Sequence, residues 1–121
     1  MAENEYDLII LGGGAAAFAS ALKASEIDAK VSMIERGVIG GTCVNVGCVP
    51  SKNLLGIGET IHECSNGKLD GTSSGPINFD FRKIIQDKDN LVLSLRNQKY
   101  TDVLGSMPNT EFIRGIARFR S

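Results

Sequence analysis

The stretch YDLIILGGGAAA, which begins at Tyr6, decides the fold, because an apolar run leads through three glycines into an alanine-rich segment. The run Tyr6–Leu11 predicts a buried strand, and the segment that continues through Lys23 predicts a helix. Gly12, Gly14 and Ala17 satisfy the pattern G-x-G-x-x-[G/A]. Its first glycine makes a tight turn, its second lets a pyrophosphate approach the backbone, and its third position lets the helix pack closely on the strand.

A second strand, predicted over Ala29–Glu35, ends in an acidic residue 21 positions after Gly14. In dinucleotide-binding folds an acidic residue at about this sequence separation forms hydrogen bonds with the ribose hydroxyls. The pyrophosphate lies on the N-terminal N–H groups of the helix. Strand, glycines, helix and acid together predict an α/β, Rossmann-like domain that binds an adenine dinucleotide, without deciding between FAD and NAD.

Two cysteines follow in the segment GGTCVNVGCVPSK, Gly40–Lys52. Cα atoms five residues apart in a regular helix are about 8.7 Å apart, whereas a disulfide needs them closer than about 7 Å. Cys43 and Cys48 can therefore pair only where the backbone between them leaves helix geometry. Asn45 and Gly47 are residue types that tolerate such a departure.

The second cysteine is predicted to lie beside the start of a helix, because Pro50 suits the first helical position. The partial positive charge of a helix N-terminus favours a thiolate at Cys48, and the ammonium group of Lys52 adds to that field. We interpret the pair as a redox-active dithiol. A disulfide exchanges electrons directly with a flavin, so the dithiol favours FAD at the nucleotide site.

Two alternatives stay open for Cys43 and Cys48. They can be small buried residues, or half of a metal site that His62 and Cys64 complete. A gap of four residues between thiols is at the wide end for zinc ligands. Cys64 by itself is interpreted as a small core residue, and His62 as a surface residue.

The remainder of the chain predicts helices, a loop and two strands. Turn-forming residues predict the loop over 65–76, and Asp80 is a suitable helix cap. Tyr100, near the end of the last helix, is expected either in the core or at a contact with a second subunit. The predicted helices are Leu54–Cys64 and Asp80–Leu104, and the predicted strands are Glu111–Arg114 and Ile116–Phe119.

Composition excludes several function classes. The 121 residues contain 13 basic and 14 acidic side chains, without a charged block that marks a nucleic-acid or membrane surface. There is no apolar span of about 18 residues, and the N-terminus is acidic where a secretory signal is basic. We therefore expect a cytoplasmic protein that binds neither nucleic acid nor membrane.

These motifs resemble the flavoprotein disulfide reductases, a family that includes dihydrolipoamide dehydrogenase, glutathione reductase and mercuric reductase. Its members begin with an FAD-binding strand-turn-helix, an acidic end to the second strand and the motif G-G-T-C-x-N-x-G-C-x-P-[SK]-K. Val44 and Val49–Lys52 are most similar to the mercuric reductase branch. The segments 95–100 and 113–119 are similar to that branch as well.

The resemblance implies roles for individual residues. Cys48 would be the thiol nearest the flavin, Cys43 would be the outer thiol that meets the substrate, and Lys52 would lie by the flavin ring. Both cysteines would hold Hg(II) as substrate. The nucleotide-binding residues implied in the same way are Gly12, Gly14, Ala15, Ala16, Ala17, Glu35, Arg36, Gly37, Gly41, Thr42, Lys52, Gly115 and Ala117.

The activity implied is FAD-dependent reduction of Hg(II) to Hg(0) by NADPH. A close alternative is another enzyme of the family, such as dihydrolipoamide dehydrogenase, which acts on a disulfide substrate. An alternative of a different class is a non-catalytic thiol module that binds a soft metal.

Family members are several times longer, so we expect residues 1–121 to be the first lobe of the FAD domain. The NADPH site, the dimerisation domain and its catalytic histidine are expected elsewhere, because the single histidine here is His62. The homodimer would belong to the full-length parent, and we expect no complete NADPH-driven turnover from these residues alone.

Overall fold

The computed structural model describes residues 5–66, 71 and 75–120. It has the predicted α/β architecture, with helices between parallel strands. The elements are β1 (Leu8–Leu11), α1 (Ala15–Ser25), β2 (Val31–Glu35), α2 (Gly41–Asn45), α3 (Cys48–Asn66), α4 (Phe81–Arg96), a π-helical turn (Asn97–Thr101), α5 (Asp102–Gly105) and β3 (Thr110–Arg114).

The strands within the described ranges form one parallel sheet in the order β1-β2-β3. Ile10 pairs with Met33, and Met33 pairs with Phe112 across the sheet. The central strand is the most buried, with Val31 and Met33 fully enclosed. Since parallel neighbours need a crossover connection, α1 has to pass over the sheet between β1 and β2.

The hydrophobic core lies on the face of the sheet that α1 covers. Small side chains let this helix approach the strands closely, and Ala21 and Ala24 are buried there beside Phe18. Met107, which precedes β3, completes the buried cluster. The alanine-rich sequence therefore serves close packing as well as helix propensity.

The opposite face of the sheet carries exposed apolar side chains. Ile9 is 58% exposed and Leu11 is 50% exposed, although both lie on a strand of four apolar residues. Parallel sheets are usually covered on both faces. The described residues thus cover only one of the two faces.

The helix at the second cysteine begins two residues before the predicted position. Cys48, not Pro50, is the first residue of α3. The backbone N–H and the hydroxyl of Ser51 both donate to the Gly47 carbonyl, at 3.2 and 2.7 Å, which places Gly47 at the cap. Pro50 lies inside the first turn, where its missing N–H has no helical partner to lose.

This helix also ends later than predicted, at Asn66. Ser65 and Asn66 are therefore helical, which corrects the first two residues of the predicted loop. Most of that loop, residues 67–70 and 72–74, lies outside the described residues.

The predicted cap at Asp80 is confirmed, because its carboxylate accepts a hydrogen bond from the Lys83 backbone N–H at 3.1 Å. The chain is helical throughout the predicted range to Leu104, and a π-helical turn over Asn97–Thr101 joins α4 to α5 without a break.

The strand predicted over Ile116–Phe119 is wrong. β3 ends at Arg114, and the Gly115 N–H makes one further bond to the Glu35 carbonyl at 3.0 Å. Because β2 itself ends at Glu35, later residues have no ladder partner there, and Phe119 is 91% exposed.

No helix within the described ranges is both long enough and apolar enough to cross a membrane.

We predict opposite stability changes for two glycine-to-alanine substitutions. Gly41 has a φ of +67°, and a Cβ there would lie 2.8 Å from the Gly14 Cα, so Gly41→Ala should cost about 2–3 kcal/mol. Gly58 lies in α3 with nothing within 4 Å of an added Cβ, so Gly58→Ala should gain about 0.5–1 kcal/mol. Urea denaturation measures both changes. A Gly41→Ala protein as stable as the parent would show that the two backbones are not in contact in solution.

Candidate functional site

A cavity of about 260 Å³ opens where the three strands end. Ligands bind at the carboxyl ends of strands in open parallel sheets, so this is the position expected for a nucleotide. The cavity brings together five of the predicted binding residues, Gly12, Glu35, Arg36, Gly115 and Ala117, together with Leu11, Ile34 and Ile116.

The Glu35 carboxylate accepts hydrogen bonds from two backbone N–H groups, one for each oxygen. One oxygen, Oε2, accepts from Gly13 at 2.7 Å, and Oε1 accepts from Gly37 at 2.6 Å. A Cβ on Gly13 would lie 3.2 Å from the Glu35 Cγ. The sequence pattern left Gly13 as a variable position, and its contact with Glu35 is a role that the pattern missed.

The N-terminus of α1 is exposed and has no side-chain cap. Gly14 is its N-cap and makes no side-chain capping bond, and the first helical residues, Ala15 and Ala16, are exposed. First-turn N–H groups without intrahelical partners are suitable donors for phosphate oxygens. Ala17, by contrast, faces the core and packs against the buried cluster.

The cysteine segment is attached to the glycine turn through backbone contacts. The Gly40 N–H donates to the Gly13 carbonyl at 2.7 Å, and Gly41 lies directly against Gly14. The turn next to the nucleotide cavity and the segment with the thiols are therefore one structural unit.

The backbone between the cysteines leaves α-helix geometry, as the spacing predicted. Cys43 lies within α2, Cys48 begins α3, and both N–H groups of the intervening turn, at Val46 and Gly47, donate to the Thr42 carbonyl at 3.0 and 2.7 Å. This departure from regular helix geometry lets the two thiols, five residues apart in sequence, come into contact.

Both thiols are free and exposed, and they share a hydrogen bond. That bond to Cys48 is the main cause that raises the pKa of Cys43 above its ordinary value, and desolvation acts in the same direction. A hydrogen bond from the Cys48 backbone N–H acts in the opposite direction and lowers the pKa, and the ammonium group of Lys52 lowers it further. The sequence predicted an effect of Lys52 on Cys48, whereas the effect found in the structure is on Cys43.

The exposure of Cys43 and Cys48 contradicts the alternative in which they are buried packing residues. Cys64 is exposed too, so its interpretation as a core residue is wrong: α3 buries none of its 19 residues. His62 is exposed, and its ring makes a hydrogen bond with the side chain of Asn66. Across the described ranges, no three His, Cys, Asp or Glu side chains are arranged to hold a metal ion.

Asn45 makes hydrogen bonds that hold the segment carrying Cys43. Its amide nitrogen donates to the carbonyls of Ile39 at 3.0 Å and Gly41 at 2.8 Å. Its oxygen accepts from the Arg96 Nε at 2.7 Å. Sequence analysis gave Arg96 no role, because the two residues are 51 positions apart and no local pattern joins them.

The family model of the pyridine nucleotide-disulphide oxidoreductases matches residues 6–116. The chain belongs to this family. It is 52% identical to a mercuric reductase from Lysinibacillus sphaericus over 117 residues, 97% of this chain and 21% of that protein. It is 46% identical to a mercuric reductase from Bacillus cereus, over 95% of this chain and 18% of that protein.

Solved structures agree with this assignment. The Cu(II) complex of the HOCl-induced flavoprotein disulfide reductase RclA from Escherichia coli superposes with a TM-score of 0.74 at 30% identity, covering 93% of this chain and 22% of that chain. The chain thus spans about one fifth of the length of the relatives that it matches.

Membership of the pyridine nucleotide-disulphide oxidoreductase family implies a flavin cofactor, and the residues present fit the adenosine half of FAD. The fit rests on the open N-terminus of α1, the cavity and the oriented Glu35 carboxylate. The other predicted residues, Thr42 and Lys52, are exposed and do not line the cavity.

We predict that two substitutions move the pKa of Cys43 in opposite directions, measured in reduced protein with Cys64→Ser as background. Cys48→Ala removes the hydrogen bond that raises the pKa, so more Cys43 is thiolate at mildly alkaline pH and alkylation by iodoacetamide is faster. Lys52→Met removes the favourable charge, so alkylation of Cys43 is slower. Mass spectrometry of the Cys43 peptide measures both rates across a pH series. A Cys48→Ala protein that reacts no faster would contradict the contact between the thiols.

We also predict that Glu35→Gln weakens FAD binding about tenfold. An amide presents an N–H₂ group to one of the two backbone donors, and hydrogen bonds to a charged group contribute about 1.5–3 kcal/mol. Quenching of FAD fluorescence measures the affinity. Glu26→Gln is the matched control, since it removes the same charge at the far end of α1. Equal affinity of both variants would contradict the predicted role of Glu35.

Proposed function

We propose that this chain supplies the FAD-binding and dithiol part of an enzyme that reduces Hg(II) to Hg(0) with NADPH. One observation carries the proposal: two exposed, hydrogen-bonded thiols belong to a segment that is attached by its backbone to the turn beside the nucleotide cavity. The identity to mercuric reductases over nearly the whole chain supports the choice of Hg(II).

In the proposed reaction the Cys43–Cys48 disulfide accepts two electrons and two protons and becomes a dithiol. When bound, the flavin supplies two-electron exchange between NADPH and this sulfur pair. Cys48, at the start of α3, is proposed as the thiol toward the flavin. Cys43, in α2, is proposed as the outer thiol, and Lys52 stabilises its thiolate form.

Hg(II) is held by the two sulfurs, and both thiol protons leave as the two sulfur–metal bonds form. Thiolates are soft ligands and suit a soft metal ion. Two electrons then reduce the metal, so that NADPH and Hg(II) give NADP⁺, Hg(0) and a proton. The exposure of both sulfurs is compatible with a substrate that arrives from solvent.

The site for NADPH and the contacts of a homodimer are proposed to lie outside residues 1–121. The reason is that these residues span only 18–21% of the mercuric reductases that they match. A cytoplasmic location is part of the same proposal, since NADPH is an intracellular reductant.

A chimera tests this function. We predict that the L. sphaericus enzyme, with its matching segment replaced by this chain, binds flavin and oxidises NADPH in the presence of Hg(II). Cys43→Ser or Cys48→Ser in the chimera should lower this activity by roughly two orders of magnitude or more, because the thiols act as a unit. Cys64→Ser, the matched cysteine control, should leave the activity within about twofold.

Other outcomes assign other functions. NADPH oxidation that depends on lipoamide and not on Hg(II) would assign a disulfide substrate. A chain that binds Hg(II) through Cys43 and Cys48 but never binds flavin, alone or in the chimera, would favour the non-catalytic metal-binding module.

A further inference from the structure

We infer that Arg96 is a positioning residue for the Cys43–Cys48 dithiol and acts on it through Asn45. The inference rests on the proposed redox function of the two cysteines and adds a residue that no sequence motif singled out. Arg96 holds the segment between the two cysteines through its hydrogen bond to Asn45.

The geometry leaves the Asn45 side chain one orientation. Its nitrogen donates to the carbonyls of Ile39 and Gly41, so its oxygen faces away from them and needs a donor. The Nε–H of Arg96 supplies that donor at 2.7 Å in a partly buried contact. The rigid, planar guanidinium fixes the direction of the bond.

Arg96 is itself held by a well-anchored helix. Val92, one turn earlier on α4, is only 6% exposed. Tyr100, one turn later, packs edge-on against Phe18 of α1 with ring centroids 4.9 Å apart. The same tyrosine ring lies so close to Gly40 that an added Cβ would be 3.3 Å from its Cδ2. The hydrogen bond from Arg96 therefore attaches α2 to α4, which is itself packed against the rest of the protein.

Asn45 is the last residue of α2 and lies between Cys43 and the turn that leads to Cys48. Restricting its movement keeps the two sulfurs near each other in the reduced protein. A higher effective concentration of one thiol at the other favours the disulfide over the dithiol. Loss of the bond should therefore make the dithiol easier to keep reduced, which is a higher reduction potential.

The positive charge of Arg96 offers a different explanation, because a nearby cation also stabilises thiolates. However, the cation that acts on the Cys43 pKa is Lys52. The hydrogen bond to Asn45 is therefore the contact through which Arg96 reaches the dithiol.

The test is the equilibrium of the full 121-residue chain, in a Cys64→Ser background, with glutathione. Protein disulfide and two glutathione thiols give protein dithiol and one glutathione disulfide, so the equilibrium constant follows from the fraction alkylated at each glutathione ratio. Arg96→Met should lower the stability of the disulfide about tenfold, a rise of about 30 mV for this two-electron couple. Arg82→Met, the same change at an exposed position of α4, should shift it less than about twofold.

A double-mutant cycle separates a positioning role from a general loss of structure. In an Asn45→Ala background, Arg96→Met should have less than about a twofold effect, because its route to the dithiol is already removed. Arg96→Lys keeps the charge but loses the Nε–H, so it should behave like Arg96→Met and serves as the second variant if the methionine protein does not fold.

Three results would overturn the inference while leaving the proposed function intact. They are an Arg96→Met shift no larger than that of Arg82→Met, an equal shift with and without Asn45, or full recovery of the potential in Arg96→Lys. A parent chain that forms no Cys43–Cys48 disulfide at any glutathione ratio would overturn the proposed redox function, and this inference with it.

Discussion

The backbone contact between two pairs of glycines, Gly13–Gly14 and Gly40–Gly41, is the constraint on which the rest of the structure depends. One hydrogen bond joins them, and a Cβ on Gly41 would lie only 2.8 Å from the Gly14 Cα, so Gly41 cannot carry a side chain without movement. The contact joins the nucleotide turn to the thiol segment through main chain. The backbone of the dithiol segment is therefore positioned relative to the nucleotide turn without an intervening side chain.

Much of the fold could be predicted from the sequence, because its signals are local. The apolar run, the glycine turn and the alanine-rich helix follow each other without interruption, and the cap at Asp80 needs only its own helix. The wrong predictions depend on distant partners. Ile116–Phe119 has strand-like residues but no strand beside it, since β2 ends at Glu35. Cys64 has helical spacing from its apolar neighbours, yet Cys64 is exposed and no residue of α3 is fully buried by the described residues.

In the candidate site, too, the features that could be predicted have sequence signals, and the one that could not depends on a distant partner. Gly12 and Glu35 could be placed at one edge of a sheet, because the carboxyl ends of parallel strands meet there. Ala117 was implied by the family resemblance alone, and the structure brings all three residues to one cavity. The link between Asn45 and Arg96 could not be predicted. It joins residues from separate helices through a single hydrogen bond, and neither residue type is unusual at its position.

The pKa of the Cys43 thiol is subject to opposing effects, and these bear on how the proposed metal substrate would bind. The side-chain contact with Cys48 raises the pKa of Cys43, whereas the Cys48 backbone N–H and the Lys52 ammonium group lower it. A thiol whose pKa is too high exchanges slowly, and one whose pKa is too low is a weak nucleophile. When a divalent metal binds both sulfurs, the shared proton leaves and the hydrogen bond that raised the pKa no longer exists. Because the contact stabilises only the protonated, free dithiol, it is lost when the metal binds, and it therefore lowers the apparent metal affinity at a given pH.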